Sequence, residues 1–138
     1  MNNSKTITVI DGQGGSLGKA LVKKIKNKYP EIEILAIGTN SIATSSMLQS
    51  GADLIATGEN PVLVAARNSN LIIGPIGIIV ADALHGEITP KMALAISQSN
   101  AHKLLLPISK CNLSIAGTTN IGLDALIEDI INSIDKYI

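Results

Sequence analysis

The chain opens with a β-branched run, a glycine-rich turn and a helical pattern, in that order. Residues 6–10 are predicted to form a strand, because Thr, Val and Ile favour the pleated backbone. After the glycines, apolar residues recur at helical spacing at Leu17, Leu21, Val22 and Ile25. A strand followed by a tight turn and a helix is the unit from which parallel sheets are built. This unit constrains the fold more than any other feature of the sequence.

The same alternation continues to the end of the chain. We predict further strands at residues 32–37, 53–56, 71–73 and 102–106, and further helices at residues 41–49, 61–68, 89–99 and 123–134. Two segments are ambiguous. Residues 76–84 favour a short helix over extended chain, and residues 113–116 are a candidate sixth strand.

Repeated alternation of buried strands and amphipathic helices predicts a parallel sheet covered on both faces. The expected fold is therefore a Rossmann-like three-layer α/β/α sandwich with a mostly parallel sheet of about five strands. A chain of 138 residues has the usual size of one domain, so residues 1–138 are predicted to form one. Ligands of such folds bind beyond the carboxyl ends of the strands.

Composition argues against several classes of partner. Eleven Lys and Arg balance eleven Asp and Glu, so the formal net charge of zero provides no field that would hold nucleic acid or an anionic membrane. Two Tyr without Phe or Trp offer little stacking surface for single-stranded nucleic acid or a flavin ring. Cys111 is the only cysteine, and the N-terminus lacks a signal-peptide pattern. We therefore predict a cytoplasmic protein.

Hydrophobic residues make up 46% of the chain, which is high for a small domain. A domain of this size cannot cover that much apolar surface within one subunit. The sequence therefore predicts a homodimer or a higher homo-oligomer.

The turn after the first strand has the composition of an anion-binding loop. Glycines allow a tight turn and let a phosphate approach backbone N–H groups, while the N-terminus of the next helix favours negative charge. The alternative is that the glycines only allow the helix to pack closely on the strand. We favour a phosphate-binding turn made by Asp11, Gly12, Gln13, Gly14, Gly15, Ser16, Leu17 and Gly18.

The spacing of Gly12, Gly15 and Gly18 resembles the nucleotide-binding turn of NAD-dependent sugar epimerases and extended short-chain dehydrogenases. The resemblance covers the first strand, turn and helix, and it implies NAD or NADP as the cofactor. Those families hold the ribose hydroxyls with a carboxylate at the end of the second strand. Here Thr39 or Asn40 would take that role. Their Tyr-x-x-x-Lys pair is absent, so their chemistry is not predicted.

Other polar loops follow the predicted strands, and we expect them to converge with the glycine turn on one crevice. The alternative is that their Gly, Asn, Thr and Pro residues only make turns, and that Glu59 and Asn60 cap a helix. The candidate binding residues in these loops are Gly38, Thr39, Asn40, Thr57, Gly58, Glu59, Asn60, Gly74 and Pro75.

Three functional hypotheses remain open. The first is a binding module for a nucleotide or dinucleotide. The second is a small metal-assisted enzyme acting on a phosphorylated metabolite, with Asp11, Glu59 and Glu87 around Mg²⁺ and His85 as acid or base. The third is a ligand-sensing or partner-binding subunit. Binding is favoured over catalysis, because so short a chain leaves little room for a separate substrate domain.

Over nearly its whole length the sequence is similar to a small uncharacterised bacterial family, known as domain of unknown function 3842. The motifs that carry this similarity lie at residues 10–15, 38–40, 56–60, 73–77 and 86–90. The resemblance implies no reaction, substrate or partner.

Overall fold

The computed structural model describes residues 5–108 and 112–138. In this part of the chain, one sheet is formed by β1 (Thr6–Asp11), β2 (Glu33–Gly38), β3 (Leu54–Thr57), β4 (Leu71–Pro75) and β5 (His102–Leu106). The helices are α1 (Ser16–Lys28), α2 (Ser41–Gln49), α3 (Glu59–Asn68), α4 (Pro90–Gln98) and α5 (Leu123–Ser133). Short 3₁₀ turns occupy Ile76–Ile79 and Ile134–Lys136. The strand order is β3-β2-β1-β4-β5, and all neighbours are parallel. The predicted α/β fold is confirmed.

The helices form a layer on each face of the sheet, because successive side chains of a strand point to opposite faces. Ile7 and Val9 of β1 are fully buried against the layer that contains α1 and α5. Ile10 of the same strand is buried against the layer that contains α3 and α4. Burial on both faces explains why apolar residues occur on both faces of the central strands.

The strand order reverses between β1 and β4. The chain leaves β1 toward α1 on one face of the sheet and leaves β4 toward α4 on the other. The loops beyond these two strands therefore diverge and open a crevice between them. The glycine turn after β1 lies at this crevice.

Residues 76–84 do not form the predicted helix. One 3₁₀ turn at Ile76–Ile79 is followed by an irregular segment, residues 80–88, which we call the strap. Asp82, Leu84 and His85 in the strap have positive φ angles of 67°, 57° and 57°. Left-handed backbone cannot continue a right-handed helix, so the helix prediction was wrong here.

Residues 113–116 do not form the predicted sixth strand. A turn closes at this point, because the Thr118 N–H and hydroxyl both donate to the Ile115 carbonyl, at 3.3 and 2.6 Å. A carbonyl engaged by a local turn does not extend the sheet. The single cysteine, Cys111, lies outside the described residues.

Within the described residues, every helix is too short or too polar to cross a lipid bilayer.

Strand β3 forms one edge of the sheet and exposes apolar side chains. Leu54 and Ile55 are 50% and 42% exposed. Edge strands also present unpaired backbone groups that can pair with another chain. The homo-oligomer predicted from the sequence stays a prediction. We expect multi-angle light scattering at micromolar concentration to give a mass of at least two chains, and a monomer mass would contradict it.

Gly122 is a position where a new side chain should stabilise the fold. It is the N-cap of α5 with φ −70° and ψ 157°, it makes no side-chain cap, and a Cβ there would meet no atom within 4 Å. In Gly122→Ser, the hydroxyl can accept a hydrogen bond from the first turn, and the unfolded chain becomes less flexible. We expect urea unfolding to show a gain of about 0.5 kcal/mol.

Gly58→Ser is the matched control for this substitution. Gly58 is also an open N-cap, on α3, but its backbone has φ 99° and ψ −169°. Only glycine adopts this region without strain, so the control should lose stability. Equal effects of the two substitutions would contradict the capping argument.

Candidate functional site

The turn between β1 and α1 is closed by its own backbone. The Gly15 N–H donates to the Gly12 carbonyl at 2.9 Å, and Gly15 is the left-handed N-cap of α1 with φ 75°. Helix α1 therefore begins at Ser16, only five residues after the end of β1. The compact turn brings the first turn of α1 close to the carboxyl end of β1.

The buried side chain of Asp11 stabilises the turn between β1 and α1. Its carboxylate accepts the Gly12 N–H at 2.8 Å and the Gly18 N–H at 2.7 Å, and the residue is 6% exposed. Gly18 lies in the first turn of α1, where backbone N–H groups lack a partner within the helix. Asp11 thus caps α1 from the preceding strand. Burial raises the pKa of the Asp11 carboxyl, with a further contribution from Glu87, against the lowering effect of the two N–H donors.

The four glycines of the turn have different structural roles. A Cβ on Gly12 would lie 2.6 Å from Thr39 Oγ1, one on Gly15 would lie 2.7 Å from the backbone of Ala43, and one on Gly18 would lie 2.9 Å from Asp11 Cβ. These three positions therefore require glycine for close packing. A Cβ on Gly14 would meet no atom within 4 Å. Gly14 is the one glycine of the turn that faces open space.

A cleft of about 350 Å³ lies between the glycine turn and α5, beyond the ends of β1 and β4. Among the residues predicted from the sequence, it brings together Asp11, Gly12, Gln13, Gly14, Gly15, Ser16, Leu17 and Pro75. Sequence reasoning missed the rest of the wall, which consists of Ala20, Leu84, Ile108, Leu123 and Ile127. The spacing of Leu123 and Ile127 marks an apolar face of α5, but it does not say what that face covers.

Two backbone donors remain available at the mouth of α1. The N–H groups of Ser16 and Leu17 have no acceptor among the described residues. Both residues line the cleft, and they start a helix of 13 residues. The positive end of the helix dipole adds to these donors. This side of the cleft is therefore suited to a negatively charged group.

A second polar cluster lies on the other side of Gly12, where the strap meets the end of β2. Oε1 of Glu87 accepts the Gln13 N–H at 2.9 Å, the Asn40 Nδ2–H at 2.9 Å and the hydroxyl of Thr39. Asn40 also accepts the Ala43 N–H at 2.9 Å and so caps α2. The strap is thereby bound to the loops after β1 and β2.

Glu87 is held in its ionised form by these contacts. Partial burial disfavours the charge, but hydrogen bonds from Thr39, Gln13 and Asn40, with the nearby His85, outweigh it and lower the pKa of the carboxyl. The hydroxyl and the amide at the end of β2 are thus engaged by a carboxylate from the same chain.

The remaining predicted residues lie away from the cleft. Thr57 pairs with the buried Thr44 through their hydroxyls at 2.7 Å, and the Gly58 N–H donates to the Gly38 carbonyl at 2.9 Å. Gly74 packs directly against β1. Asn60 is exposed in the first turn of α3, and Gly38, Thr57, Gly58, Glu59 and Asn60 do not line the cleft. The end of β3 thus contacts β2 and α2 and does not line the cleft.

Each acidic residue of the metal-assisted hypothesis accepts hydrogen bonds from the protein itself. Glu59 accepts the Thr89 hydroxyl at 2.6 Å, while Asp11 and Glu87 bind the donors described above. His85 is exposed on the strap. Across residues 5–108 and 112–138, no three His, Cys, Asp or Glu side chains are grouped so that they could hold a metal ion.

The strand order and the position of the cleft define a doubly wound α/β domain with a cleft at its topological switch point. Residues 6–138 match the family described as Domain of unknown function (DUF3842), and the chain belongs to that family. The similarity stated from the sequence is therefore confirmed, whereas the likeness of the glycine turn to NAD-dependent enzymes stays a prediction.

Among curated proteins, none matches this sequence. One solved structure similar to this chain is that of a dodecameric FMN-dependent UbiX-like decarboxylase from Escherichia coli O157:H7. The two share 15% sequence identity over 96% of this chain and 93% of that chain, with a TM-score of 0.47.

The capping role of Asp11 predicts a cost for its neutral isostere. In Asp11→Asn, the side chain has one acceptor oxygen, so an NH₂ group must face one of the two buried N–H donors. We expect a loss of about 1–3 kcal/mol in the free energy of unfolding, measured with urea.

Asp129→Asn on the exposed surface of α5 is the control and should change stability by less than about 0.5 kcal/mol. Equal urea midpoints for wild type and Asp11→Asn would show that the carboxylate does not hold the turn.

Proposed function

We propose that the protein binds a nucleotide-type small molecule in the cleft between the glycine turn and α5. The observation that carries the proposal is the composition of the two walls. One wall supplies backbone donors at the start of α1, and the other is aliphatic. A phosphorylated molecule with an apolar ring likewise has one charged part and one apolar part.

The phosphate would lie at the first turn of α1. The Ser16 and Leu17 N–H groups and the helix dipole favour its charge. The carboxyl of Asp11 is close by, and an ionised carboxylate would repel a phosphate. Both oxygens of this carboxyl already accept N–H groups of the chain, from Gly12 and Gly18, and these donors reduce the repulsion.

The ring would lie against the aliphatic wall formed by Ile108, Leu123 and Ile127. The cleft volume of about 350 Å³ is near the lower end of the range for small-molecule sites. It therefore suits one nucleotide unit. A dinucleotide such as NAD or NADP would place its second half across the glycine turn, toward the end of β2. Any Mg²⁺ would come with the phosphates rather than with a set of protein carboxylates.

The test uses wild-type protein and two substitutions at Gly14. The ligands are NAD⁺, NADH, NADP⁺, NADPH, ATP and AMP, each with and without Mg²⁺. Binding is measured by thermal shift and then by calorimetry. A ligand at about 100 times its dissociation constant stabilises the fold by about 2.7 kcal/mol, a rise of several degrees. We expect such a rise with at least one of them.

Gly14→Asp places a carboxylate at the mouth of the cleft, and Gly14→Asn is its neutral isostere. Both should fold, because a Cβ at Gly14 meets no atom within 4 Å. Repulsion of the phosphate should weaken binding about tenfold or more in Gly14→Asp and much less in Gly14→Asn. Gly15 is unsuitable for this test, because any side chain there collides with α2.

A flat response of the wild-type protein across the whole panel would contradict the proposal. So would equal binding by Gly14→Asp and the wild type, because the phosphate would then lie elsewhere.

A further inference from the structure

Strand β2 ends without an acidic residue, yet a carboxylate is present at its end. It belongs to Glu87, which reaches this position from the strap. We propose that Glu87 is the acceptor for the cis-diol of an unphosphorylated ribose in the half of a bound dinucleotide that lies across the glycine turn. The inference rests on the proposed function and adds the chemistry of the sugar.

The hydrogen bonds of Glu87 leave one oxygen for a ligand. The three donors, from Gln13, Thr39 and Asn40, all bind Oε1. Oε2 accepts no hydrogen bond from residues 5–108 or 112–138, and the Glu87 side chain is only partly buried. A carboxylate oxygen can accept hydrogen bonds from the hydroxyls of a diol.

Glu87 also lies next to the proposed phosphate site. A Cβ on Gly12 would lie 2.9 Å from Glu87 Oε1 and 2.8 Å from Leu84 Cδ1, so the strap touches Gly12 at two points. Leu84, Gly12 and Gln13 line the cleft. A dinucleotide whose phosphates lie at the glycine turn, and whose second half crosses that turn, would therefore bring a ribose toward this carboxylate.

The strap is built to hold this carboxylate in place. Ala83 and Ile88 are buried in the layer of α3 and α4, and their backbones are joined by the Ile88 N–H and the Ala83 carbonyl at 3.1 Å. Between them, residues 84–87 form a tip in which Leu84 and His85 have left-handed backbone. A side chain fixed by its own backbone and by three donors loses little freedom when a ligand binds.

The proposed contact makes two distinctions among nucleotides. Loss of the 2′-hydroxyl removes a hydrogen bond to a charged acceptor, so a 2′-deoxy nucleotide should bind more weakly. A 2′-phosphate replaces that hydroxyl by an anion facing an anion, so NADP⁺ should bind more weakly than NAD⁺.

The experiment measures dissociation constants by calorimetry for two matched pairs, NAD⁺ with its 2′-deoxyadenosine analogue and NAD⁺ with NADP⁺. For the wild-type protein, we expect the first member of each pair to bind about tenfold or more tightly. This comparison needs no substitution and is unaffected by folding defects.

Glu87→Gln then tests the residue. We expect the ratio within each pair to fall close to one. We measure the ratio of the two dissociation constants because removal of a negative charge near the phosphates that both members share changes the affinity of both members alike. Glu33→Gln, at the opposite end of β2 and exposed, is the control and should keep the wild-type ratio.

The outcomes separate this inference from the proposed function. If the wild type binds nucleotides without preferring the diol, the inference is overturned and the proposed function stands. Loss of the preference in Glu33→Gln, or its retention in Glu87→Gln, also overturns it. If no dinucleotide binds although AMP or ATP binds, the inference alone is overturned. A flat response to the whole nucleotide panel contradicts the proposed function, and the inference falls with it.

Discussion

The bridge that Asp11 makes between the Gly12 and Gly18 N–H groups is the contact on which the rest of the structure depends. A buried carboxylate is costly unless its oxygens are satisfied, and these two donors satisfy it. The bridge also fixes where α1 starts relative to β1. Because α1 is held at this position, Gly12 contacts the strap on one side of the turn. Leu17 lines the cleft on the other side. Fold and site thus share one contact.

Most N–H donors of the glycine turn are engaged by the chain itself. Asp11 accepts those of Gly12 and Gly18, Glu87 accepts that of Gln13, and the Gly12 carbonyl accepts that of Gly15. The N–H groups of Gly14, Ser16 and Leu17 have no acceptor among the described residues. A dinucleotide-binding turn of the usual kind would offer more of these groups to its ligand. The phosphate site proposed for this chain is therefore narrow and lies at the first turn of α1.

The sheet could be predicted from the sequence, because apolar runs and helical periodicity are local signals. The strap could not, since left-handed backbone at Asp82, Leu84 and His85 has no glycine to mark it. The contact between Thr39 and Glu87 joins residues 48 positions apart, which no local pattern encodes. Likewise, spacing alone does not show that Gly14 is open while Gly15 touches α2. The glycine turn was therefore recognisable, whereas the roles of its residues required the fold.

The hydrogen bond between Ile88 and Ala83 closes the base of the strap before its tip begins. Residues 84–87 thus form a four-residue loop whose two ends are already joined and anchored in the core. Such a loop can be exchanged, lengthened or shortened without a change in the sheet, because the hydrogen bond and the burial of its two end residues fix its base. Substitutions at these four positions would therefore change the cleft wall at Leu84 and the contacts of Glu87 while the sheet stays constant.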